Sequence, residues 1–122
     1  MVTISPLNPA FPIDQQMAVD AGPVVLVNLF TVDPDDEAAL IDAWRSDAMW
    51  MKQQPGYIST QLHRAVGDGS MYLNYAIWET VADFRAAFSD PSFQAHLGKY
   101  PQSAVTAPHL FEKVAVRDCC TA

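Results

Sequence analysis

Cysteines, basic residues and glycine-rich loops are scarce in this sequence, and each scarcity excludes a class of protein. Of the 122 residues only Cys119 and Cys120 are cysteines, and two adjacent thiols cannot build a disulfide framework. No Cys or His spacing matches a zinc site, and no Gly-rich loop has the pattern that cradles phosphate. We therefore expect no metal, flavin or other cofactor.

Acidic residues clearly outnumber basic ones. Fourteen aspartates and glutamates against seven lysines and arginines give a net charge of −7. Nucleic acids and anionic membranes both need a basic surface, so neither is an expected partner. No apolar run approaches the roughly 18 residues of a membrane span, and the N-terminus lacks the pattern of a secretory signal. We expect a soluble, cytoplasmic protein with one folded domain.

The first 22 residues differ from the rest of the chain. Their three prolines interrupt any regular element. Two interpretations stay open: a loose tail, or an arm that docks on a partner subunit. The apolar side chains available for docking include Phe11, Ile13 and Met17. The boundaries are then an N-terminal arm over 1–22, a domain over 23–117 and a C-terminal tail over 118–122.

The domain alternates between strand and helix patterns. Runs of β-branched residues predict strands, and apolar residues at spacings of three and four predict helices. Thr80, with Asp83 three residues later, resembles a capping box that starts the second helix. The predicted elements are a strand at 24–32, a helix at 37–53, strands at 57–65 and 70–79, a helix at 80–88, a separate short helix from 91 to about 100, a loop at 101–108 and a strand at 109–116.

This order of elements, strand, helix, strand, strand, helix, strand, is typical of a ferredoxin-like α+β fold. One antiparallel sheet then carries both helices on one face. The other face needs a cover if it is apolar, and the sheet of a second copy is the simplest cover. We therefore expect a homodimer.

The hairpin over 57–79 predicts two chemically different faces of the sheet. A four-residue loop would place Ala65 opposite Ser70, and alternate residues then share a face. The apolar face, with the expected dimer interface, carries Ile58, Thr60, Leu62, Met71, Leu73, Tyr75 and Ile77. The polar face carries Ser59, Gln61, His63, Tyr72, Asn74 and Trp78. This second face either meets solvent or forms a cavity beneath the helices.

Two features of the strands favour the cavity. Asn28 interrupts an otherwise apolar strand, and a buried amide must find hydrogen-bond partners. Asn74 and Trp78 are roughly 13 Å apart at about 3.3 Å per strand residue, which suits a flat ligand with several rings.

Four segments, in their order and spacing, resemble the antibiotic biosynthesis monooxygenase family. They are Val27-Asn28-Leu29-Phe30, Gln54-Pro55-Gly56-Tyr57, the run from Tyr72 to Glu79, and the set Phe84, Phe88, Pro91-Ser92-Phe93 and His96. The resemblance extends over about residues 23 to 117. It implies a dimeric α+β barrel.

The branches of this family differ in their chemistry. The haem-degrading branch has a Trp and a His at positions held here by Ala87 and Leu97, so haem degradation is not expected. Another branch oxidises polycyclic phenols such as anthrones to quinones, with dioxygen and no cofactor. Its pattern of an Asn on the first strand and Asn-x-x-x-Trp on the third is matched by Asn28, Asn74 and Trp78. The resemblance therefore implies a cofactor-independent monooxygenase of this kind.

In such a site the protein binds and orients the substrate while dioxygen oxidises it. The candidate catalytic residues are Asn28, Asn74 and Trp78 as hydrogen-bond donors, Tyr72 as a donor or proton relay, and His96 as the base. His96 can equally be a helix residue that packs or meets solvent. The candidate substrate-binding residues are Phe30, Trp44, Gln61, His63, Phe84, Phe88 and Phe93. Two other functions stay open: a non-catalytic protein that binds an aromatic ligand, and a monooxygenase of small quinols.

Overall fold

Five strands and four α-helices form the fold in the computed structural model, which describes residues 2–122. They are β1 (Thr3–Ile4), α1 (Ile13–Gln16), β2 (Val24–Thr31), α2 (Glu37–Met51), β3 (Tyr57–Arg64), β4 (Met71–Trp78), α3 (Val81–Phe88), α4 (Pro91–Leu97) and β5 (Val105–Phe111). A short 3₁₀ helix at Pro34–Asp36 leads into α2. From β2 onwards the order is the predicted one, so the ferredoxin-like α+β fold is confirmed.

The sheet has the strand order β1-β5-β2-β4-β3. β2 lies at its centre, antiparallel to β4 and β5, and its Asn28 pairs with Asn74 on one side and Pro108 on the other. β1 runs parallel to β5, so the sheet is mixed, whereas the sequence predicted a purely antiparallel sheet. The helices α2, α3 and α4 pack on one face, which we call the helix face. The opposite side is the open face, and the sheet of one chain does not close into a barrel.

The loop between β3 and β4 differs from the prediction by one residue. The Ala65 N–H donates to the Met71 oxygen at 2.8 Å, so the loop contains residues 66–70. Gly67 and Ser70 take positive φ angles of 88° and 47°, which turn the chain over these five positions. The predicted four-residue loop is therefore wrong, and β3 is shifted by one residue against β4.

This shift turns the side chains of β3 over, because successive strand residues point to opposite faces. Leu62 lies opposite Asn74 and packs under the helices, so it does not belong to the predicted dimer interface. Gln61 and His63 lie on the open face instead of the helix face. A register shift between Tyr57 and Ser59 then places Tyr57 opposite Trp78, the last residue of β4.

The last strand, β5, begins at Val105 and not at the predicted His109. β1 pairs only with Val105 and Thr106, so β5 is the edge of the sheet beyond those residues. Pro108 lies in this edge portion, where a residue without an N–H is tolerated. The loop predicted over 101–108 is therefore wrong in its second half.

Residues 2–22 pack on the domain of their own chain. Ile13 and Met17 are buried in the core beside α3. Gln16 donates to the Leu110 oxygen at 2.9 Å and accepts from the Leu110 N–H at 2.8 Å. Arg85 donates to the Met17 oxygen at 2.8 Å. The segment is thus neither a loose tail nor an arm that leaves Ile13 and Met17 for a partner.

The turn between α2 and β3 touches the first turn of α3. Thr80 caps α3: its Oγ1 accepts from the Asp83 N–H at 3.0 Å, as the capping pattern predicts, and its hydroxyl also donates to the Asp83 carboxylate at 2.9 Å. Gly56 has a φ of +84°, and a Cβ there would lie 2.3 Å from the Asp83 side chain. Only glycine allows this close approach.

Candidate active site

A cleft lies between the helix face of the sheet and α2, α3 and α4. It holds about 550 Å³ of space free of protein atoms, part of it open to solvent. Its walls are mainly apolar and aromatic, and the predicted lining residues Phe30, Trp44, Phe84, Phe88 and Phe93 all contribute. Its polar lining residues include Asn28, Asp47, Thr60 and Asn74. This combination is typical of a pocket for an apolar ligand oriented by a few polar groups.

Asn28 and Asn74 stand side by side on the sheet side of the cleft. They are cross-strand partners, which places their Cβ atoms about 5 Å apart. Thr106 donates a hydrogen bond to Asn28 Oδ1, and Thr60 donates one to Asn74 Oδ1. Within residues 2–122 the two Nδ2 groups have no hydrogen-bond acceptor. The sheet therefore presents two neighbouring N–H donors to a ligand oxygen.

Trp78 lies on the same side of β4 as Asn74 and also lines the cleft. Only 2% of its surface is exposed. Its ring packs edge-to-face against Tyr57, with centroids 5.7 Å apart, and against Phe84, with centroids 5.8 Å apart. Contacts on two sides fix the plane of the indole ring.

The helices supply an aromatic wall opposite the sheet. The rings of Phe84 and Phe88 have centroids 5.5 Å apart, and those of Phe88 and Phe93 are 5.2 Å apart. These three rings form a continuous row from α3 to α4. A row of rings offers flat apolar contact area, which suits an aromatic ligand.

Asp47, on α2, lines the cleft although the sequence did not predict it as a site residue. It is 8% exposed, and the Tyr100 hydroxyl donates to its Oδ2 at 2.8 Å. Its Oδ1 is buried and has no hydrogen-bond partner within residues 2–122. Burial raises the pKa of Asp47 to about 6, although the hydrogen bond from Tyr100 and the charge of Lys99 act in the opposite direction.

The apolar pattern of α2 already indicates that Asp47 is buried. Leu40, Trp44 and Met51 mark the apolar stripe of α2, and Asp47 falls on this stripe, seven residues after Leu40. When the stripe packs on the sheet, the carboxylate is buried with it. Aspartate is rarely buried unless it is paired, so an aspartate on the apolar stripe of a helix indicates a functional or hydrogen-bonded carboxylate.

The sequence comparison agrees with this architecture. Residues 23–99 match the antibiotic biosynthesis monooxygenase family, and this range is more than half of the chain. The chain belongs to this family. The resemblance inferred from the sequence is confirmed.

Two relatives in this monooxygenase family show recognisable sequence identity. Tetracenomycin-F1 monooxygenase from Streptomyces glaucescens is 38% identical over 72 residues, which are 58% of this chain and 63% of that protein. Deoxynogalonate monooxygenase from Streptomyces nogalater is 33% identical over 78 residues, which are 64% of this chain and 65% of that protein. The matched part of the chain thus spans just under two thirds of each relative.

Solved structures of similar proteins share the fold. SnoaB, a cofactor-independent oxygenase from Streptomyces nogalater, matches with a TM-score of 0.72 and 26% identity over 80% of this chain and 99% of that one. A structure from Shewanella loihica matches with a TM-score of 0.67 and 35% identity over 81% of this chain and 100% of that one. The ferredoxin-like domain is therefore the part that these proteins have in common.

His96, the predicted base, does not line the cleft. Its Nδ1 lies 3.0 Å from Ser46 Oγ and 3.5 Å from Lys99 Nζ, and its ring packs against Trp50 with centroids 6.3 Å apart. Burial and the positive charge of Lys99 lower the pKa of His96. The histidine thus packs between α2 and α4, which is the alternative that the sequence left open.

Tyr72, the predicted proton relay, also lies outside the cleft lining. Its hydroxyl donates to Glu37 Oε1 at 2.6 Å, and Arg64 Nε donates to the same atom at 2.9 Å. Hydrogen bonds from Arg64 and Tyr72 lower the pKa of Glu37, and burial raises the pKa of Tyr72. The three residues join α2 to the hairpin, and the hydroxyl of Tyr72 is held in this contact, away from the cleft.

Gln61 and His63, predicted to bind substrate, do not line the cleft because the register of β3 places both on the open face. Both side chains are exposed there. The predicted register assigned Thr60 to the apolar face. In the structure Thr60 lines the cleft, and its hydroxyl donates a hydrogen bond to Asn74 Oδ1. The one-residue shift of β3 accounts for all three differences.

The polar groups of the cleft suit hydrogen bonding to oxygen better than metal binding. Asp47 is its single lining carboxylate, beside two amides and the hydroxyls of Thr60 and Tyr57. Over residues 2–122 no group of three or more His, Cys, Asp or Glu side chains is placed to hold a metal ion. A separate finding is that none of the helices in this part of the chain has the length and hydrophobicity needed to cross a membrane.

Proposed function

We propose that this protein is a monooxygenase that oxidises a polycyclic aromatic phenol of the anthrone type to a quinone, with dioxygen and without a cofactor. The observation that carries the proposal is the pair of amide donors, Asn28 and Asn74, inside a cleft walled by aromatic rings. The names of the relatives support it, since two are monooxygenases and SnoaB is a cofactor-independent oxygenase.

The reaction needs a binding site more than a redox group. Loss of a proton from the ring carbon between two aromatic rings gives an electron-rich anion, which passes one electron to dioxygen. The resulting substrate radical and superoxide combine to a peroxide anion, which takes up a proton to become a hydroperoxide, and loss of water from the hydroperoxide leaves a carbonyl group. One oxygen atom enters the product and the other leaves as water, so the reaction is a monooxygenation.

Each part of the cleft has a task in this reaction. The Nδ2 groups of Asn28 and Asn74 donate to the oxygen on which negative charge develops when the proton is lost. The Nε1–H of Trp78 donates to the substrate oxygen or to the peroxide, and Trp78 together with the phenylalanine row holds the flat rings and shields the radical pair from water. Both functions act through positions that the packing has fixed before the substrate binds.

An oxygen electrode and an absorbance spectrum test the proposal. The purified chain, mixed with anthrone in air, should consume dioxygen and form anthraquinone in equal amounts, faster than buffer alone. The Asn28→Ala/Asn74→Ala double variant should lose most of the acceleration. A shift in anthrone absorbance without dioxygen consumption would contradict the proposal and identify a binding protein, and preferential oxidation of a small quinol would contradict the substrate class.

We also propose that two copies associate through the open face. Leu73, Tyr75 and Ile77 of β4 lie on that face, as does Phe111 of β5. Tyr75 and Phe111 are 40% and 44% exposed, which is costly for large apolar side chains clustered on one surface. A second open face related by two-fold symmetry would cover them. Leu62 has no part in this interface because it lies under the helices.

A further inference from the structure

We propose that Asp47 is the general base of the cleft and that its Oδ1 accepts the acidic ring proton of the substrate. The proposal rests on the proposed oxidation of an anthrone-type phenol. Asp47 lines the same cleft as Asn28 and Asn74, and its Oδ1 is buried without a partner in residues 2–122. Buried carboxylate oxygens are normally hydrogen-bonded, so an unpaired one at the wall of a cleft marks a place for a proton brought by a ligand.

The other carboxylate oxygen of Asp47, Oδ2, accepts a hydrogen bond, and this bond fixes the orientation of the carboxylate and therefore the position of Oδ1. Tyr100 donates to Oδ2 at 2.8 Å and is itself only 4% exposed. Its ring stacks on Phe30, with centroids 5.8 Å apart and planes 14° apart. Phe30 belongs to the central strand, so the carboxyl group is fixed relative to the sheet that carries Asn28 and Asn74. A base must be held in this way to meet a proton in a defined position.

The surroundings of Asp47 favour proton exchange near neutral pH. Burial raises its pKa to about 6, and the charged or titratable groups that oppose the shift are Tyr100 and Lys99. On the sheet side, a smaller cavity beside the cleft is lined by Asp47 together with Asn28 and Thr106, neither of which titrates. A carboxylate in this environment is a stronger base than an exposed one and is still largely ionised at neutral pH.

The proton transfer can be written in full. The C–H bond of the ring carbon breaks, an O–H bond forms on Asp47 Oδ1, and the electron pair stays on the substrate, delocalised onto its carbonyl oxygen. The amide donors of Asn28 and Asn74 stabilise that oxygen. After dioxygen has added, protonated Asp47 returns the proton to the peroxide anion, which restores the carboxylate before water is lost.

Deuterium exchange without dioxygen isolates this step from the oxidation. Anthrone is incubated anaerobically in D₂O with the wild-type chain, and the loss of its ring CH₂ protons is followed by NMR. The wild type should accelerate exchange above buffer, and Asp47→Asn should lose the acceleration by about 100-fold, the usual contribution of a general base. Asp42→Asn removes a carboxylate from an exposed position on the same helix and should leave exchange unchanged.

A second variant tests the base without removing it. The hydrogen bond from Tyr100 stabilises the ionised form of Asp47, so Tyr100→Phe should raise the pKa of Asp47 further. The base is active when ionised, so the pH at which exchange is half-maximal should move upwards by about one unit. An unchanged or lower midpoint would overturn the proposal, even if Asp47→Asn fails to fold.

The failures of the two proposals give different results. Exchange that is equal in the wild type and Asp47→Asn, or absent in the wild type, overturns Asp47 as the base, while dioxygen consumption in air still decides the proposed oxidation. Exchange that depends on Asp47, with no dioxygen consumed in air, supports the base and overturns the oxygenase function.

Discussion

Each asparagine of the cleft shares its amide oxygen with a threonine hydroxyl, and this arrangement decides which end of the amide meets a ligand. A side-chain amide accepts at Oδ1 and donates at Nδ2. Because Thr60 and Thr106 occupy the two oxygens, the nitrogens of Asn74 and Asn28 face the cleft as donors. Two N–H donors side by side match a ligand that carries a carbonyl or anionic oxygen.

Asn74→Ala and Trp78→Phe test the cleft at its two ends. We expect each to slow anthrone oxidation by about one to two orders of magnitude, at about 1.4 kcal/mol per tenfold, because a donor to the developing charge is lost. Trp78→Phe should affect the free energy of unfolding less than Trp78→Ala, since it keeps an aromatic ring in the packed site. Full turnover by Trp78→Phe on an accepted substrate would remove the indole from the mechanism.

Thr60 is a positioning residue, because it acts through Asn74. Thr60→Val keeps the shape of the side chain and removes the hydroxyl, so the amide of Asn74 loses its fixed orientation. We expect kcat to fall about tenfold with a smaller change in KM, and Thr60→Ser to retain wild-type turnover. If Thr60→Ser were as slow as Thr60→Val, packing of the methyl group and not the hydroxyl would be responsible.

Asp47 should also be visible in the pH dependence of stability. Its pKa rises from 3.8 to about 6 on folding, so the stability it contributes is fully present below 3.8 and is lost as the pH rises through about 6. Asp47→Asn cannot lose a proton. Its free energy of unfolding relative to the wild type should therefore rise by up to about 3 kcal/mol between about pH 4 and about pH 7. Urea unfolding curves measured across this range, with Asp42→Asn as the control, check the prediction, and a constant difference would contradict it.

At the scale of elements, the strand and helix patterns predicted the order of the fold but not the register of its hairpin. Side-chain alternation places residues on faces only once the loop length is known, and the loop uses Ser70 in a conformation that the sequence pattern does not reveal. The predicted faces of the β4 side chains agree with the structure, because the alternation along β4 does not depend on the loop length. The predicted faces of Gln61 and His63 on β3 are wrong, because they depended on it. The hydrogen bond between the side chains of Asp47 and Tyr100 joins residues 53 positions apart in the sequence, so no local pattern could predict it.

The contact between the turn before β3 and the start of α3 predicts a stability difference between two glycines. Gly56 and Gly67 both have positive φ, but a Cβ at Gly56 meets the Asp83 side chain, whereas a Cβ at Gly67 meets nothing within 4 Å. Gly67→Ala should cost about 1 kcal/mol, the price of the backbone conformation alone, and Gly56→Ala about 2 to 3 kcal/mol or more. Thermal unfolding of both variants measures the difference, and equal losses would show that Asp83 moves aside freely.

At the scale of the whole molecule, the sheet has one face covered by helices and one face that α2, α3 and α4 leave free, on which Val25 and His109 are buried but Tyr75 and Phe111 are exposed. The chain has only enough helix for the helix face, and the segment over 2–22 adds its buried residues to the same core. The net charge of −7 keeps copies of the chain apart in general, so the association that we propose requires a specific apolar surface. The open face is the surface that meets this requirement.

Leu73→Arg tests association through the open face. Leu73 lies on β4 between the exposed ring of Tyr75 and the hairpin, so an arginine there would be buried unpaired in a dimer and should give monomer or aggregate. Val66→Arg makes the same change of charge in the fully exposed hairpin loop and should remain dimeric. Sedimentation at micromolar concentration distinguishes the species. A well-folded wild-type monomer at that concentration would mean that Tyr75 and Phe111 are stable in water, and the argument from two faces would then be wrong.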